Sequence, residues 1–205
     1  MQEAPFIGVA RHRLVVDGEG VTTLAAFHTC TLKCKYCLNP QSLREYDKVT
    51  VFTPESLYEK VKVDELYFLA TGGGICFGGG EPSLRYEFIR EFRDICGPDW
   101  KLTIETALNV PKKNIEALLP VIDCWIVDIK DMNPEIYKSY TGKTNDQVME
   151  NLELLRGIPD KVKIRIPSIP EYNTKEDQDS SVAKLKEMGF SDFDIFIYRT
   201  EVNKG

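Results

Sequence analysis

The chain has 205 residues, 42% hydrophobic and 28% charged, with a net charge of −6. That length fits one domain with a sizeable core, so residues 1–205 are read as a single domain of an ordinary soluble protein. The acidic balance argues against a nucleic-acid surface, no apolar run is long enough for a membrane span, and the start "MQEAPFIGVARHRL" lacks the pattern of a secretion signal. The expected location is therefore the cytoplasm, with the six cysteines reduced or bound to metal.

Strand-like and helix-like segments alternate along the chain. "VTTLAAF" (21–27) reads as a buried strand that runs straight into "HTCTLKCKYCLNP" (28–40). "TPESLYEKVK" (53–62) carries helix-start signals in Thr53, Pro54 and Glu55. "GGGICFGGG" (72–80) encloses a short apolar core, and "SLRYEFIREFRDIC" (83–96) puts Leu84, Phe88, Phe92 and Ile95 on one helical face. Strand 101–106, helix 112–120, strand 124–129, helix 145–155, strand 162–167, helix 181–189 and strand 193–198 complete the series. This alternation predicts an α/β fold with parallel pairing, a partial β/α barrel of about six units, since a closed eight-unit barrel usually needs about 250 residues.

In such folds the ligand site lies at the carboxyl ends of the strands. The unusual residues fall there. The cysteines follow the first strand, the glycines and Glu81 the second, and Glu105 and Thr106 the third. Asp128 and Lys130 end the fourth, Arg165 and Pro167 the fifth, and Arg199 the sixth. One site mouth is the expectation.

Cys30, Cys34 and Cys37 fall within eight residues. Iron–sulfur cubanes are held by thiolates, usually four, and three leave one iron open to a substrate or cofactor. Zinc, with His28 as a fourth ligand, is the rival reading. The other cysteines, Cys76, Cys96 and Cys124, are single and flanked by apolar residues, which suits small buried hydrophobes.

The spacing C-x3-C-x2-C, with Tyr36 before the last cysteine, resembles the radical S-adenosylmethionine enzymes. Within them the sequence is most similar to the activating enzymes of glycyl-radical enzymes, of the pyruvate formate-lyase type. "VDGEGV" (16–21), "GGGICFGGGEPS" (72–83), "VDIKDMNPEIYKSYTGKTNDQVMENLELL" (127–155) and "RIPSIPEYN" (165–173) match that family's motifs in order. The resemblance implies a [4Fe–4S] cluster on Cys30, Cys34 and Cys37 and S-adenosylmethionine on its open iron. Reductive cleavage would give a 5′-deoxyadenosyl radical that takes hydrogen from a glycine of a partner glycyl-radical enzyme. Flavodoxin or ferredoxin would supply the electron.

By the same resemblance the cofactor is approached by Tyr36, Leu38 and Asn39, by Gly78, Gly79, Gly80 and Glu81 at its ammonium group, and by Lys130 at its carboxylate. Glu105, Thr106 and Asp128 match oxygen ligands of a monovalent cation in the pyruvate formate-lyase branch. Read without the resemblance, they are strand-end surface charges and polar groups. Arg165 is matched to the cofactor or the substrate, or else to a buried ion pair. The sequence departs from the pattern at Glu19, Gly78, Glu105 and Tyr137, where proline, serine, aspartate and histidine are usual. Arg199 stands where a histidine meets the adenosine. Two other functions stay open: the same chemistry on a ribosomal peptide or small metabolite, and a non-catalytic metal-binding or electron-transfer module.

Overall fold

The computed structural model describes residues 2–14, 16–44 and 49–198. They form one eight-stranded sheet. β1 (Ala4–Leu14) lies between β2 (Val21–Phe27) and the short β3 (Thr50–Phe52), antiparallel to both. From β2 the sheet continues through β4 (Gly74–Gly79), β5 (Lys101–Thr106), β6 (Cys124–Asp128), β7 (Val162–Ser168) and β8 (Asp192–Ile197), every neighbouring pair parallel. β3 and β8 are the two edges, so the sheet is open, and its six parallel strands are the units expected from the sequence.

β4 and β6 are apolar because helices and loops cover them. In β4 every residue but Gly79 is buried, whereas β5 and β7 interleave polar residues and the edge strand β8 is largely exposed. β1 was not foreseen. Its ladder slips between Phe6 and Gly8 and between Ala10 and Arg13, and His12 sits at φ 57°, so no clean two-residue alternation exists to read.

Among the helices, α1 (Pro54–Val61) starts as expected, with a reciprocal cap in which Ser56 N donates to Thr53 Oγ1 (3.2 Å) and Thr53 N to Ser56 Oγ (2.8 Å). It is followed by α2 (Glu65–Thr71). α3 (Tyr86–Cys96) buries Phe88, Ile89 and Phe92, while Leu84 precedes the helix and Ile95 is half-buried. α4 (Lys112–Leu118) and α6 (Asp146–Leu155) fall where expected.

Two helices correct the sequence reading. α5 (Pro134–Thr141) shows no aliphatic stripe in the sequence, because its buried face is built on Tyr137 and Tyr140. α7 (Lys175–Glu187) begins six residues before the expected 181. Its polar first turns hide it, but Thr174 and Asp177 form a capping box.

The core beneath the first strands is aromatic. Phe27, the last residue of β2, lies 5.7 Å from Phe77 of β4 and edge-on to Phe88 of α3 at 5.5 Å. This anchors the point where the chain enters the cysteine loop. Cys76 is fully buried as expected, whereas Cys96 and Cys124 are only half-buried. No helix among the described residues is long and apolar enough to cross a membrane.

Candidate active site

After Phe27 the chain turns sharply, with Thr29 in the left-handed region at φ 84°. Backbone bonds then fix the loop on two sides. Toward β4, Gly80 N donates to Phe27 O (2.9 Å) and Glu81 N to Thr29 O (2.8 Å). Toward the end of α5, Lys33 N donates to Thr141 O (3.1 Å) and Lys35 N to Tyr140 O (3.2 Å). Leu32 is buried and anchors the middle of the loop.

The glycines at the end of β4 answer to this close approach. A Cβ on Gly80 would stand 2.1 Å from Thr29 O. One on Gly79, already at φ 96°, would stand 2.6 Å from Phe27 O. Gly78 differs: its Cβ would meet the Glu105 carboxylate and a Leu24 methyl, both at 3.0 Å.

A cavity of about 150 Å³ opens at the carboxyl ends of the parallel strands. On one side it is lined by Cys30, Cys34, Cys37, Leu38 and Asn39, with Gly79 and Gly80 beside them. Glu105, Thr106, Asp128, Lys130 and Arg165 form the other side. The structure therefore gathers twelve of the sequence-expected residues in one place. It leaves out Tyr36, Gly78, Glu81 and Pro167, and Arg199 lies outside the described residues.

Glu81 points into the body. Its carboxylate is buried and accepts from Ser83 N (3.1 Å), Thr106 Oγ1 (2.7 Å) and Ala107 N (3.0 Å), tying the end of β4 to the end of β5. Burial raises its pKa, against those hydrogen bonds. Tyr36 donates to Glu171 Oε2 at 3.0 Å, and Asn39 Nδ2 donates to Gly79 O at 2.9 Å.

The charges of the far wall are paired. Arg165 Nη1 meets Glu105 Oε1 at 2.7 Å, and its Nη2 donates to Val16 O (2.8 Å), which ties the "VDG" segment to β7. Burial raises the pKa of Glu105 to about 6, with Arg165 opposing and Asp128 and Asp17 adding to the rise. Lys130 Nζ stands 3.4 Å from Asp128 Oδ2 and 6.0 Å from the Tyr198 ring. Burial pulls the ammonium down, but Asp128, Cys34 and Tyr198 together hold it above its ordinary value. The three oxygen groups matched to a cation are thus already engaged: Glu105 by Arg165, Thr106 by Glu81 and Asp128 by Lys130.

Tyr198 and Leu32 also line the cavity and were not singled out from the sequence. Tyr198 follows β8 and stacks with Phe196 at 6.2 Å, so the two-residue alternation from Phe196 was the available signal.

Burial pushes the Cys30 thiol up to about 12 and raises Cys34, against the opposing charge of Lys130. Such thiols become thiolates when a cationic metal binds them. Leu32 N already donates to Cys30 Sγ at 3.4 Å, a bond of the kind that tunes cluster sulfurs. His28 does not supply a fourth ligand, because its ring nitrogens face Thr29 Oγ1 (3.1 Å) and Arg44 O (2.9 Å). Among the described residues no three His, Cys, Asp or Glu side chains converge on a single ion. Three thiols that each bind a different iron of a cubane need no such convergence. The donor set fits an iron–sulfur cluster better than zinc.

Comparison with known proteins agrees. The model of the Radical SAM superfamily matches residues 25–192. The pyruvate formate-lyase-activating enzyme of Clostridium pasteurianum is 32% identical over 171 residues, covering 83% of this chain and 70% of that protein. The (2S)-3-sulfopropanediol dehydratase activating enzyme of Klebsiella oxytoca is 28% identical over 218 residues, covering 77% and 69%. Among solved structures, Streptococcus suis SuiB bound to precursor peptide SuiA superposes with a TM-score of 0.66 at 19% identity, over 89% of this chain. The chain spans only 41% of SuiB, so that likeness is one of fold.

Proposed function

The chain belongs to the radical S-adenosylmethionine superfamily, and on that premise we propose that it installs the radical on a partner glycyl-radical enzyme. Family and relatives mark it as an enzyme of the glycyl-radical activating type, and the superfamily's cofactors are a [4Fe–4S] cluster and S-adenosylmethionine. The observation that carries the proposal is the one cavity lined by Cys30, Cys34 and Cys37 together with Lys130, Gly79 and Gly80. When bound, the two cofactors supply a 5′-deoxyadenosyl radical able to take hydrogen from a glycine α-carbon.

The residues' parts follow from their chemistry. The three cysteines hold the cluster, and the backbone bonds of their loop hold the thiols in place without it. Lys130, kept charged by Asp128, offers a cation to the S-adenosylmethionine carboxylate. Gly79 and Gly80 bring the β4 end against the loop, and Gly79 O, bonded once by Asn39, keeps a second lone pair for the cofactor ammonium. Glu81 positions these groups from below. Arg165 and Glu105 wall the cavity as a neutral pair. The open sheet leaves the cavity approachable by a peptide segment of the partner. Flavodoxin or ferredoxin is the proposed electron donor, in the cytoplasm.

The test is anaerobic reconstitution with iron and sulfide, reduction, and addition of S-adenosylmethionine with a candidate glycyl-radical enzyme. The expected result is 5′-deoxyadenosine together with a glycyl doublet in the electron paramagnetic resonance spectrum. Cofactor cleavage with no doublet from any glycyl-radical partner would overturn the activating role and leave another peptide or metabolite as substrate. Absence of both a cluster and cleavage would overturn the catalytic reading.

A further inference from the structure

The chain carries a net charge of −6, yet the outer surface of its cysteine loop is basic. Lys33 and Lys35 flank Cys34 and are exposed, while Leu32 beside them is buried. Their N–H groups donate to Thr141 O and Tyr140 O, so the loop rests directly on the carboxyl end of α5. Lys138, in the last turn of that helix, and Lys143, just past it, are exposed at the same junction.

None of these four lysines forms an ion pair with a described residue. Of the exposed lysines elsewhere, Lys62, Lys112, Lys163 and Lys175 pair with Glu59, Glu116, Asp192 and Asp179, whereas Lys60, Lys101, Lys113, Lys161, Lys184 and Lys186 form no ion pair with a described residue. What sets Lys33, Lys35, Lys138 and Lys143 apart is their common place at the junction of the cysteine loop and α5. Acidic groups near the junction are Glu135, Asp146 and Glu171, and Glu171 already accepts from Tyr36. Lys138 complements the negative end of the α5 dipole. That accounts for one lysine, not for the pair on the loop.

We propose that this lysine face docks an acidic one-electron donor protein; the inference rests on the activating-enzyme reading given above. The donor loses one electron and the cluster gains it, with no bond made or broken. The face is suited to this because Lys33 and Lys35 adjoin a cluster cysteine in the chain, so a partner held there stands against the loop that carries the cluster. An acidic donor is repelled by the rest of an acidic chain, and a local patch of opposite sign then sets both its orientation and its rate of encounter. Four lysines on an acidic chain are too few for a nucleic-acid tract.

The test uses the reconstituted holoenzyme and an acidic flavodoxin in its hydroquinone form. Two quantities are read: the flavodoxin Kd by titration, and the rate of cluster reduction by absorbance. The variant K33E/K35E/K138E/K143E is compared with K113E/K184E, which reverses exposed charges elsewhere. The first should weaken binding and slow reduction at least about tenfold and lose the dependence on ionic strength. Photoreduction by a deazaflavin, which needs no docking, should be unchanged, and the control should match the parent. Unchanged flavodoxin binding, an equal loss in the control, or, in parallel titrations of RNA and of the glycyl-radical enzyme, a loss confined to either of these would each overturn the docking face while leaving the function intact. Failure of the parent to assemble any cluster would overturn both.

Discussion

The two walls of the cavity are built by different means. The cysteine side is shaped by backbone: its thiols hang from a loop bonded at Thr29, Gly80 and Glu81 on one flank and at Lys33 and Lys35 on the other. The far wall is shaped by side chains, Arg165 on Glu105 and Lys130 beside Asp128. A backbone scaffold fails when something is added to it. A wall of buried ion pairs fails when something is removed, because the remaining charge is stranded. Each wall can therefore be broken by a different class of substitution.

The largest effect is expected from Gly80→Ala. The new Cβ lands on a backbone carbonyl, Thr29 O, that cannot turn aside. A loss of more than about 3 kcal/mol is expected in chemical denaturation, together with failure to assemble the cluster. Gly78→Ala sharpens the contrast. Its Cβ meets the far end of the Glu105 side chain and a Leu24 methyl, which can shift, so a cost below about 1.5 kcal/mol is expected. Equal losses in the two variants would refute the role given to the loop's close approach.

On the far wall, Arg165→Ala strands the Glu105 carboxylate in a largely buried position. The expected cost near neutral pH is about 3 kcal/mol, read by urea denaturation. A cost below about 1 kcal/mol would show that solvent screens the pair.

Glu105 itself sets a pH dependence. Its folded pKa is raised from 4.5 to about 6, so between those values the folded state binds more protons than the unfolded chain. Stability therefore falls as pH rises through that window, by on the order of 2 kcal/mol from this group. In Glu105→Gln this component should vanish. The difference in stability between parent and variant should then change between pH 4.5 and 6, moving against the parent. A flat difference would mean the carboxylate is not desolvated.

Much of this was legible in the sequence, and the reasons separate cleanly. The parallel strands read as short apolar or alternating segments between helical ones, and residues at their carboxyl ends share one mouth by topology alone. Twelve expected residues accordingly meet in one cavity. What stayed hidden depends on tertiary partners. β1 is interrupted by bulges, and α5 buries tyrosines in place of aliphatics. Glu81 reads like any motif carboxylate, and only the position of Thr106 and Ala107 turns it away from the cavity. Gly79 and Gly80 match positions at the cofactor ammonium, yet a Cβ on Gly80 would strike Thr29 of the cysteine loop and one on Gly79 the end of β2 at Phe27.

The smallest expected effect comes from Asn39→Ala. Asn39 contributes one side-chain bond to the cysteine side, donating from Nδ2 to Gly79 O at 2.9 Å, in a region held mostly by backbone bonds. Its own carbonyl accepts from Ser42 N (2.9 Å) and Ser42 Oγ (2.7 Å), and those bonds survive truncation. A single neutral hydrogen bond at a half-buried site is worth about 1 kcal/mol. The loss should be that small, with cluster assembly retained, because the remaining bonds still fix the loop. A loss approaching that of Arg165→Ala would mean that the thiol side, too, depends on its side chains.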